Sequence, residues 1–207
     1  MPEPVNPRLS LRAERAAVTR RRIADAARRL FSRDGYGATT LQAIADEAGV
    51  AVQTVYAVFG SKAGILRELR DAIVFQPEAE SFYRAALGAA AAGDPGGALD
   101  RFAHSIRIRW DAGADVVLVD RDAGSSDPAL RELGVSAYER RRGGLSALAD
   151  ALGPGLRAGV APEGAMAALD ALTLPDVYME LVRGLGRTSD AYEAWLATAL
   201  RRLLLAD

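Results

Sequence analysis

The chain has 207 residues, with 26 basic and 27 acidic side chains, one histidine, no cysteine and an apolar fraction of 50%. This composition describes a core-forming protein and excludes disulfide frameworks, thiol nucleophiles, cysteine-ligated zinc and a polyhistidine metal site within one chain. Residues 1–75 carry 12 basic and 8 acidic side chains, a net charge of +4, whereas the remainder carries 14 and 19, a net charge of −5. This asymmetry fits an N-terminal part that meets a polyanion, although an uneven surface charge would give the same counts.

The first segment combines prolines at positions 2, 4 and 7 with six arginines between positions 8 and 22. It predicts a flexible basic arm over residues 1–18, whose arginines either reach DNA phosphates or a minor groove, or form a solvated tail. The segment lacks the apolar stretch of a secretory signal, and no run in the chain approaches the roughly 18 apolar residues of a membrane span. We therefore expect a cytoplasmic protein.

Four helices follow. Apolar residues from Ile23 to Phe31 recur at helical spacing after Thr19, and Asp34-Gly35 ends the first helix. The run Thr39-Thr40-Leu41-Gln42 has capping-box spacing, with glutamine three positions after a threonine, and starts a second helix that ends at Gly49. A third helix covers residues 52–58, and Ser61 caps a fourth from Lys62 to about Val74. Two short helices joined by a glycine-containing turn form a helix-turn-helix at about residues 40–59.

Beyond Pro77, helical stretches are separated by Gly/Pro/Asp breaks, and no sustained two-residue alternation indicates strands. The last two long helices are predicted at about 162–186 and 189–205, the second with a broad apolar stripe. The predicted fold is all-α: an N-terminal three-helix helix-turn-helix domain over residues 17–77, followed by a larger helical domain over residues 78–207.

The third helix has the side chains that a recognition helix needs to enter the major groove of DNA. Gln53 can read a base edge, Val52 and Ala57 can contact a thymine methyl, and the hydroxyls of Thr54 and Tyr56 suit phosphate oxygens. Thr40 and Lys62, each near a helix start, are further phosphate candidates. The alternatives to DNA contact are that Tyr56 packs its ring into the core and that Gln53 faces solvent without a partner.

These runs together resemble the DNA-binding domain of TetR-family transcriptional regulators over roughly residues 17–77. The resemblance rests on Thr19 through Phe31, Gly35-Tyr36-Gly37-Ala38-Thr39-Thr40, Ile44 through Val50, Thr54-Val55-Tyr56 and Phe59-Gly60-Ser61-Lys62. It implies phosphate contacts by Thr40, Thr54, Tyr56 and Lys62, and base readout by Val52, Gln53 and Ala57.

For residues 78–207, the resemblance implies a domain that binds a small-molecule effector and dimerises through its last two long helices. The expected homodimer would bind an approximately inverted-repeat operator in double-stranded DNA. Candidate pocket residues are polar or aromatic groups on predicted helices: His104, Arg107, Trp110, Tyr138 and Tyr178. Candidate interface residues, which a domain core would explain equally well, are Leu172, Val177, Leu181, Trp195, Leu196, Leu200 and Leu203.

Two departures from the family pattern keep a second hypothesis open. Position 51, often polar in relatives, is Ala51, and Ala57-Val58 replaces side chains that are often large. The alternative is therefore a helical small-molecule-binding protein with a degenerate helix-turn-helix and little DNA affinity. The chain lacks a metal cluster, a phosphate-binding glycine loop or a nucleophile–base motif, so we expect neither an enzyme nor a cofactor.

Overall fold

A computed structural model describes residues 7–125 and 127–206, with side chains from Arg12 onward. Apart from one isolated bridge between Leu156 and Leu205, the regular structure in these residues is helical, which confirms the all-α prediction. None of the helices in this described part combines the length and the apolar character that a membrane span requires. The chain divides into two compact units, one up to Arg70 and one from Asp71.

The helices are labelled in chain order. The first four are α1 (Pro7–Asp34), α2 (Leu41–Ala48), α3 (Val52–Phe59) and α4 (Lys62–Val74). The next three are α5 (Pro77–Ala91), α6 (Pro95–Ala123) and α7 (Pro128–Leu152). The last three are α8 (Pro162–Leu172), α9 (Pro175–Met179) and α10 (Ser189–Leu204), with a π-helical turn at Glu180–Gly184 after α9.

Helix α1 begins much earlier than predicted. It starts at Pro7, so the expected flexible arm is wrong for residues 7–18, and residues 1–6 lie outside the described residues. Proline suits the first position of a helix, and the leucines, alanines and arginines that follow have high helix propensity. Residues 12–18 are exposed, and α1 first becomes buried at Ile23.

The first unit packs its helices around a small aliphatic core. Side chains that are completely inaccessible to solvent come from all four helices, and the larger ones are Ile23, Ile44, Val55, Ile65 and Leu66. The unit ends inside α4, earlier than the predicted boundary near Pro77, because Ile73 near the end of α4 already lies against Gly113 of α6.

The second unit is organised around α6, which packs against α5, α9 and α10. Its core includes Leu99, Phe102, Leu148, Leu169 and Leu196, all almost completely buried.

The predicted helix over 162–186 is wrong. It breaks after Leu172, because Pro175 forces the preceding residue, Leu174, into an extended conformation. The predicted last helix is confirmed as α10, capped by the hydroxyl of Thr188.

Tyr192 of α10 is completely buried, and its hydroxyl has no hydrogen-bond partner in the described part of the chain. Burial raises the pKa of this phenol. We expect Tyr192→Phe to increase the free energy of unfolding by about 1 to 3 kcal/mol, since it removes a desolvated group that gains no bond. Tyr83→Phe is the matched control: the Tyr83 hydroxyl donates to the carbonyl of Gly144 at 2.8 Å, so its removal should destabilise. Urea titrations compare the two, and a loss of stability in Tyr192→Phe would contradict the prediction.

Candidate nucleic-acid interface

Helices α2 and α3 are joined by a three-residue turn. The hydroxyl of Thr40 accepts a hydrogen bond from the N–H of Ala43 at 3.1 Å and so caps the start of α2. Gly49 ends α2 in the left-handed conformation, with φ 65° and ψ 42°, which glycine adopts without steric cost. The N–H of Val50 then bonds to the carbonyl of Ala45 at 3.0 Å, and α3 starts two residues later. The predicted helix-turn-helix is confirmed.

The cap of α2 differs in detail from the predicted capping box. Because Thr40 is the N-cap, Gln42 is one position too early to close the box, and its amide donates instead to Asp46 at 2.8 Å. Thr39 is buried and donates to the carbonyl of Gly35 at 2.8 Å. Thr40 therefore keeps an exposed hydroxyl at the start of α2.

Helix α3 buries one of its side chains in the core and exposes several others to solvent. Val55 is fully buried, whereas Gln53, Tyr56 and Ala57 are exposed and Val52 and Thr54 are half-buried. Tyr56 has 55% of its surface exposed, which rules out the interpretation that its ring packs in the core. Of the five α3 residues predicted to contact DNA, three therefore form one exposed face of the helix: Gln53, Tyr56 and Ala57.

Position 51 behaves as the sequence suggested. Ala51 is the N-cap of α3 and makes no side-chain capping bond, while its carbonyl accepts from the N–H of Thr54 at 2.9 Å. The first N–H groups of α3 thus have no side-chain acceptor from the cap residue, at the end of a helix where the dipole is positive.

Lys62 lies in a different environment from the one predicted. Its ammonium group donates to the carbonyls of Tyr36 at 2.6 Å and Thr39 at 2.9 Å, with a longer contact to Gly37 at 3.4 Å. It also lies 4.3 Å from the centre of the Tyr36 ring. Burial lowers the pKa of this lysine, so the bound carbonyls and the ring offset a cost of desolvation. Lys62 ties the start of α4 to the turn between α1 and α2.

Two arginines of α1 hold the same unit together, a role that the sequence reasoning missed. Arg20 pairs with Glu68 of α4, lies 4.7 Å from the centre of the Phe59 ring and donates to the carbonyl of Val58. Arg22 donates to the carbonyl of Ala48 at 2.6 Å, at the C-terminal end of α2. The partners of both arginines are distant in sequence, so no local pattern distinguishes Arg20 and Arg22 from the other arginines of the basic segment.

Three of the predicted pocket residues meet in a polar network of α6, α9 and α10, in which Arg107 also donates to Asp111 at 2.9 Å. Glu193 accepts hydrogen bonds from His104 at 3.0 Å and Arg107 at 2.5 Å. Tyr178 donates to Asp111 at 2.5 Å. Burial alone would lower the pKa of Arg107, but the two carboxylates raise it. The spacing of positions 104, 107 and 111 was the available sequence signal, because it places the three on one helical face.

The other two predicted pocket residues lie elsewhere. Trp110 is buried, and its indole N–H donates to the carbonyl of Thr173 at 3.2 Å. Tyr138 has 49% of its surface exposed and lies beside Arg142. Trp110 and Tyr138 therefore make these contacts outside the network around Glu193.

The predicted interface residues also separate. Leu196 and Leu200 are completely buried within the protomer, so their assignment to an interface is wrong. Leu203 is 49% exposed. The remaining four are partly buried against the core of the second unit: Leu172, Val177, Leu181 and Trp195.

Residues 23–69 match the family model of the bacterial regulatory proteins of the tetR family. NalD, the secondary repressor of the MexAB-OprM multidrug efflux pump in Pseudomonas aeruginosa, is 23% identical, with a TM-score of 0.67 over 94% of this chain and 99% of that chain. A transcriptional regulator from Saccharomonospora viridis in complex with choline is 23% identical, with a TM-score of 0.65 over 91% and 98%. SmeT in complex with triclosan is 18% identical, with a TM-score of 0.64 over 91% and 92%.

No curated protein matches the chain significantly. The solved structures share its fold along almost their entire length, and the family model covers the helix-turn-helix whose geometry is described above. Residues 23–69 are thus a helix-turn-helix segment that matches the tetR family model, in a chain that has the fold of these solved regulators.

Proposed function

We propose that the chain is a DNA-binding transcriptional repressor that binds an inverted-repeat operator as a homodimer and is released by a small-molecule effector. The observation that carries this proposal is the exposed face of α3, where Gln53, Tyr56 and Ala57 project from a helix anchored by the buried Val55. An α-helix fits the major groove of B-DNA, and exposed polar and small side chains on such a helix are those that reach base edges.

The contacts divide into two classes. Val52, Gln53 and Ala57 are proposed to read bases, with Gln53 as the side chain able to bond a base edge at two points. The hydroxyls of Thr40, Thr54 and Tyr56 are proposed to contact phosphates and set the register of the helix on the DNA. Lys62, the fourth phosphate candidate, is reassigned: its ammonium group is occupied by backbone carbonyls, so we propose that it positions Thr40 rather than binding DNA.

The proposed dimer uses the outer face of α10. Trp195 is partly buried, and Leu203 is exposed eight residues later, at a spacing that places both on one side of the helix. Leu172, Val177 and Leu181 are the proposed partners from the preceding segment. Two copies joined in this way would present two α3 helices, which explains why the operator should be an inverted repeat. Sedimentation equilibrium of the free chain should give the mass of a dimer.

The effector is proposed to act on the second unit. Two relatives with this fold were solved with a small molecule, triclosan or choline. Helix α4 begins in the first unit and ends in the second, where Ile73 lies against Gly113 of α6. An effector that prefers one arrangement of this junction would shift the population toward it, and release follows if that arrangement fits the operator poorly.

A mobility-shift assay on the intergenic DNA that flanks the gene tests DNA binding directly. We expect a specific shift that weakens as salt rises, because phosphate contacts release bound counterions. A matched fragment in which one half of the inverted repeat is scrambled should bind far more weakly. If no salt-sensitive shift occurs while the chain still binds small molecules, the alternative function as a binding protein with a degenerate helix-turn-helix is supported instead.

Replacing Gln53 tests the assignment of base readout. We expect Gln53→Ala to relax the preference at one base pair of each half-site, with a loss of discrimination of about 1 to 3 kcal/mol. Gln42→Ala is a control, since that exposed glutamine on α2 bonds to Asp46 within the same helix. Binding to a set of operators with single base-pair changes supplies the measurement. A uniform loss of affinity for all operators would contradict base readout by Gln53.

A further inference from the structure

Arg109 of α6 differs from the arginines around it. Arg107, Arg121, Arg141 and Arg201 of the same unit each pair with a carboxylate. Arg109 is half-buried and has no carboxylate within ion-pair distance among the described residues; its one hydrogen bond is a long contact of 3.4 Å to the carbonyl of Val74. Burial lowers the pKa of Arg109, whereas the hydrogen bond to Asp176 raises that of Arg121. Arg109 is therefore a partly desolvated cation without an ion-pair partner in the described part of the chain.

A second guanidinium adds to the excess of positive charge. Arg141 of α7 donates to Asp170 at 2.8 Å and to the hydroxyl of Thr173 at 2.9 Å. Its charge acts unfavourably on Arg109, while the carboxylate that acts favourably is Glu80 of α5. Glu80 is exposed and lies 3.6 Å from Arg84, so it is shared with another cation. The charges carried by α5 and α7 thus leave Arg109 undercompensated.

A buried aromatic side chain and Arg141 share a partner, Thr173. Trp110, the neighbour of Arg109 in sequence, is buried and donates to the carbonyl of Thr173, the residue whose hydroxyl Arg141 binds. The positive charge of Arg141 also acts on the phenol of Tyr192, the buried hydroxyl that lacks a partner. A buried polar group without a partner is rare, and a ligand is one way in which it becomes satisfied.

We propose that the second unit binds a small molecule with a carboxylate and an apolar body, and that Arg109 is the ion-pair partner of the carboxylate. The inference rests on the effector binding proposed above and names the chemical class of the effector. A guanidinium and a carboxylate form two parallel hydrogen bonds in a partly buried site, which is the interaction that Arg109 lacks. Arg141 increases the attraction for an anion, and the apolar part of the ligand is proposed to pack near Trp110.

The same residue connects the ligand to α4. Val74 is the last residue of α4, and its carbonyl is one of the acceptors that a helix leaves unpaired at its C-terminal end. A carboxylate bound to Arg109 competes with this weak contact and withdraws the guanidinium from the end of α4. The binding of an anion thereby changes a contact of α4, the helix that begins in the first unit.

Calorimetric titration of the purified full chain, without DNA, tests the ligand class. The probes are decanoate, 1-decanol, decyltrimethylammonium and inorganic phosphate. We expect decanoate to bind the wild type at least tenfold more tightly than each of the other three. The inference is overturned if decanoate does not bind, or if the alcohol, the cation or phosphate binds as well as decanoate does.

Two substitutions then test the role of Arg109. Arg109→Gln should weaken the binding of decanoate at least tenfold and leave the affinity for 1-decanol unchanged. Arg140→Gln removes an exposed cation one residue from Arg141 and should change neither affinity. Arg109→Lys keeps the charge and should retain part of the affinity, so it serves if the glutamine variant does not fold. Equal affinity for decanoate in Arg109→Gln and wild type would overturn the assignment. A chain that binds decanoate through Arg109 but shifts no DNA would contradict the proposed repressor and leave this inference standing.

Discussion

Lys62→Met is expected to lower the free energy of unfolding by about 2 to 3 kcal/mol, because it removes charge-assisted hydrogen bonds to the carbonyls of Tyr36 and Thr39. Methionine keeps most of the volume of the stem, so the loss reports the ammonium group. DNA affinity should fall as well, since the turn that carries Thr40 loses its tether to α4. Urea unfolding and a binding titration at several salt concentrations measure the two effects.

The salt dependence separates this role from a phosphate contact. If Lys62 positions the turn, the slope of log K against log salt should stay at the wild-type value, whereas loss of one phosphate contact reduces it by about 0.9. Arg67→Met is the matched control, because it removes an equal charge from an exposed position of α4. A Lys62→Met variant with unchanged stability and a smaller slope would restore the assignment of Lys62 to DNA.

Gly64→Ala should be similarly damaging, with an expected loss of about 3 kcal/mol in the free energy of unfolding. A Cβ atom at position 64 would collide with the carbonyl oxygen of Phe59, and a backbone atom cannot move aside as a flexible side chain would. The chain turns here from α3 into α4, so relief of the collision has to displace one helix relative to the other. Thermal unfolding followed by circular dichroism measures the loss.

The control for this substitution is another helical glycine. Gly143 lies in α7, and a Cβ at that position would meet no atom within 4 Å. Gly143→Ala should therefore stabilise the chain by about 0.5 to 1 kcal/mol, as expected when alanine replaces glycine inside a helix. If the two variants unfold alike, the close approach of Phe59 to α4 has no energetic importance.

The helix-turn-helix could be predicted because its signals are local. Gly49 marks the end of α2, and the apolar spacing around Val55 separates a buried from an exposed face within a single helix. Contacts between distant segments could not be predicted in this way. The carbonyls that hold Lys62 lie more than 20 residues before it in sequence, and a backbone carbonyl leaves no trace in the choice of side chain.

The second unit shows the same limit. Leu196, Leu200 and Leu203 belong to one apolar stripe, yet the first two are completely buried and the third is half exposed. The difference depends on which helices pack against each side of α10, and periodicity contains no information on that point. The prediction of a single helix over 162–186 gave too little weight to one local signal. That signal is Pro175, which separates α8 from α9.

The cap of α2 has a consequence for how operator preference could be altered. Because the oxygen of Thr40 already accepts from Ala43, the hydroxyl becomes a better donor, and its proton is available to an outside acceptor. The hydroxyl is therefore polarised toward acceptors, and every nucleotide offers the same phosphate oxygens at its backbone. If Thr40 makes the proposed phosphate contact, it would hold any sequence equally well, and α3 could be redesigned for a new operator without changing that contact.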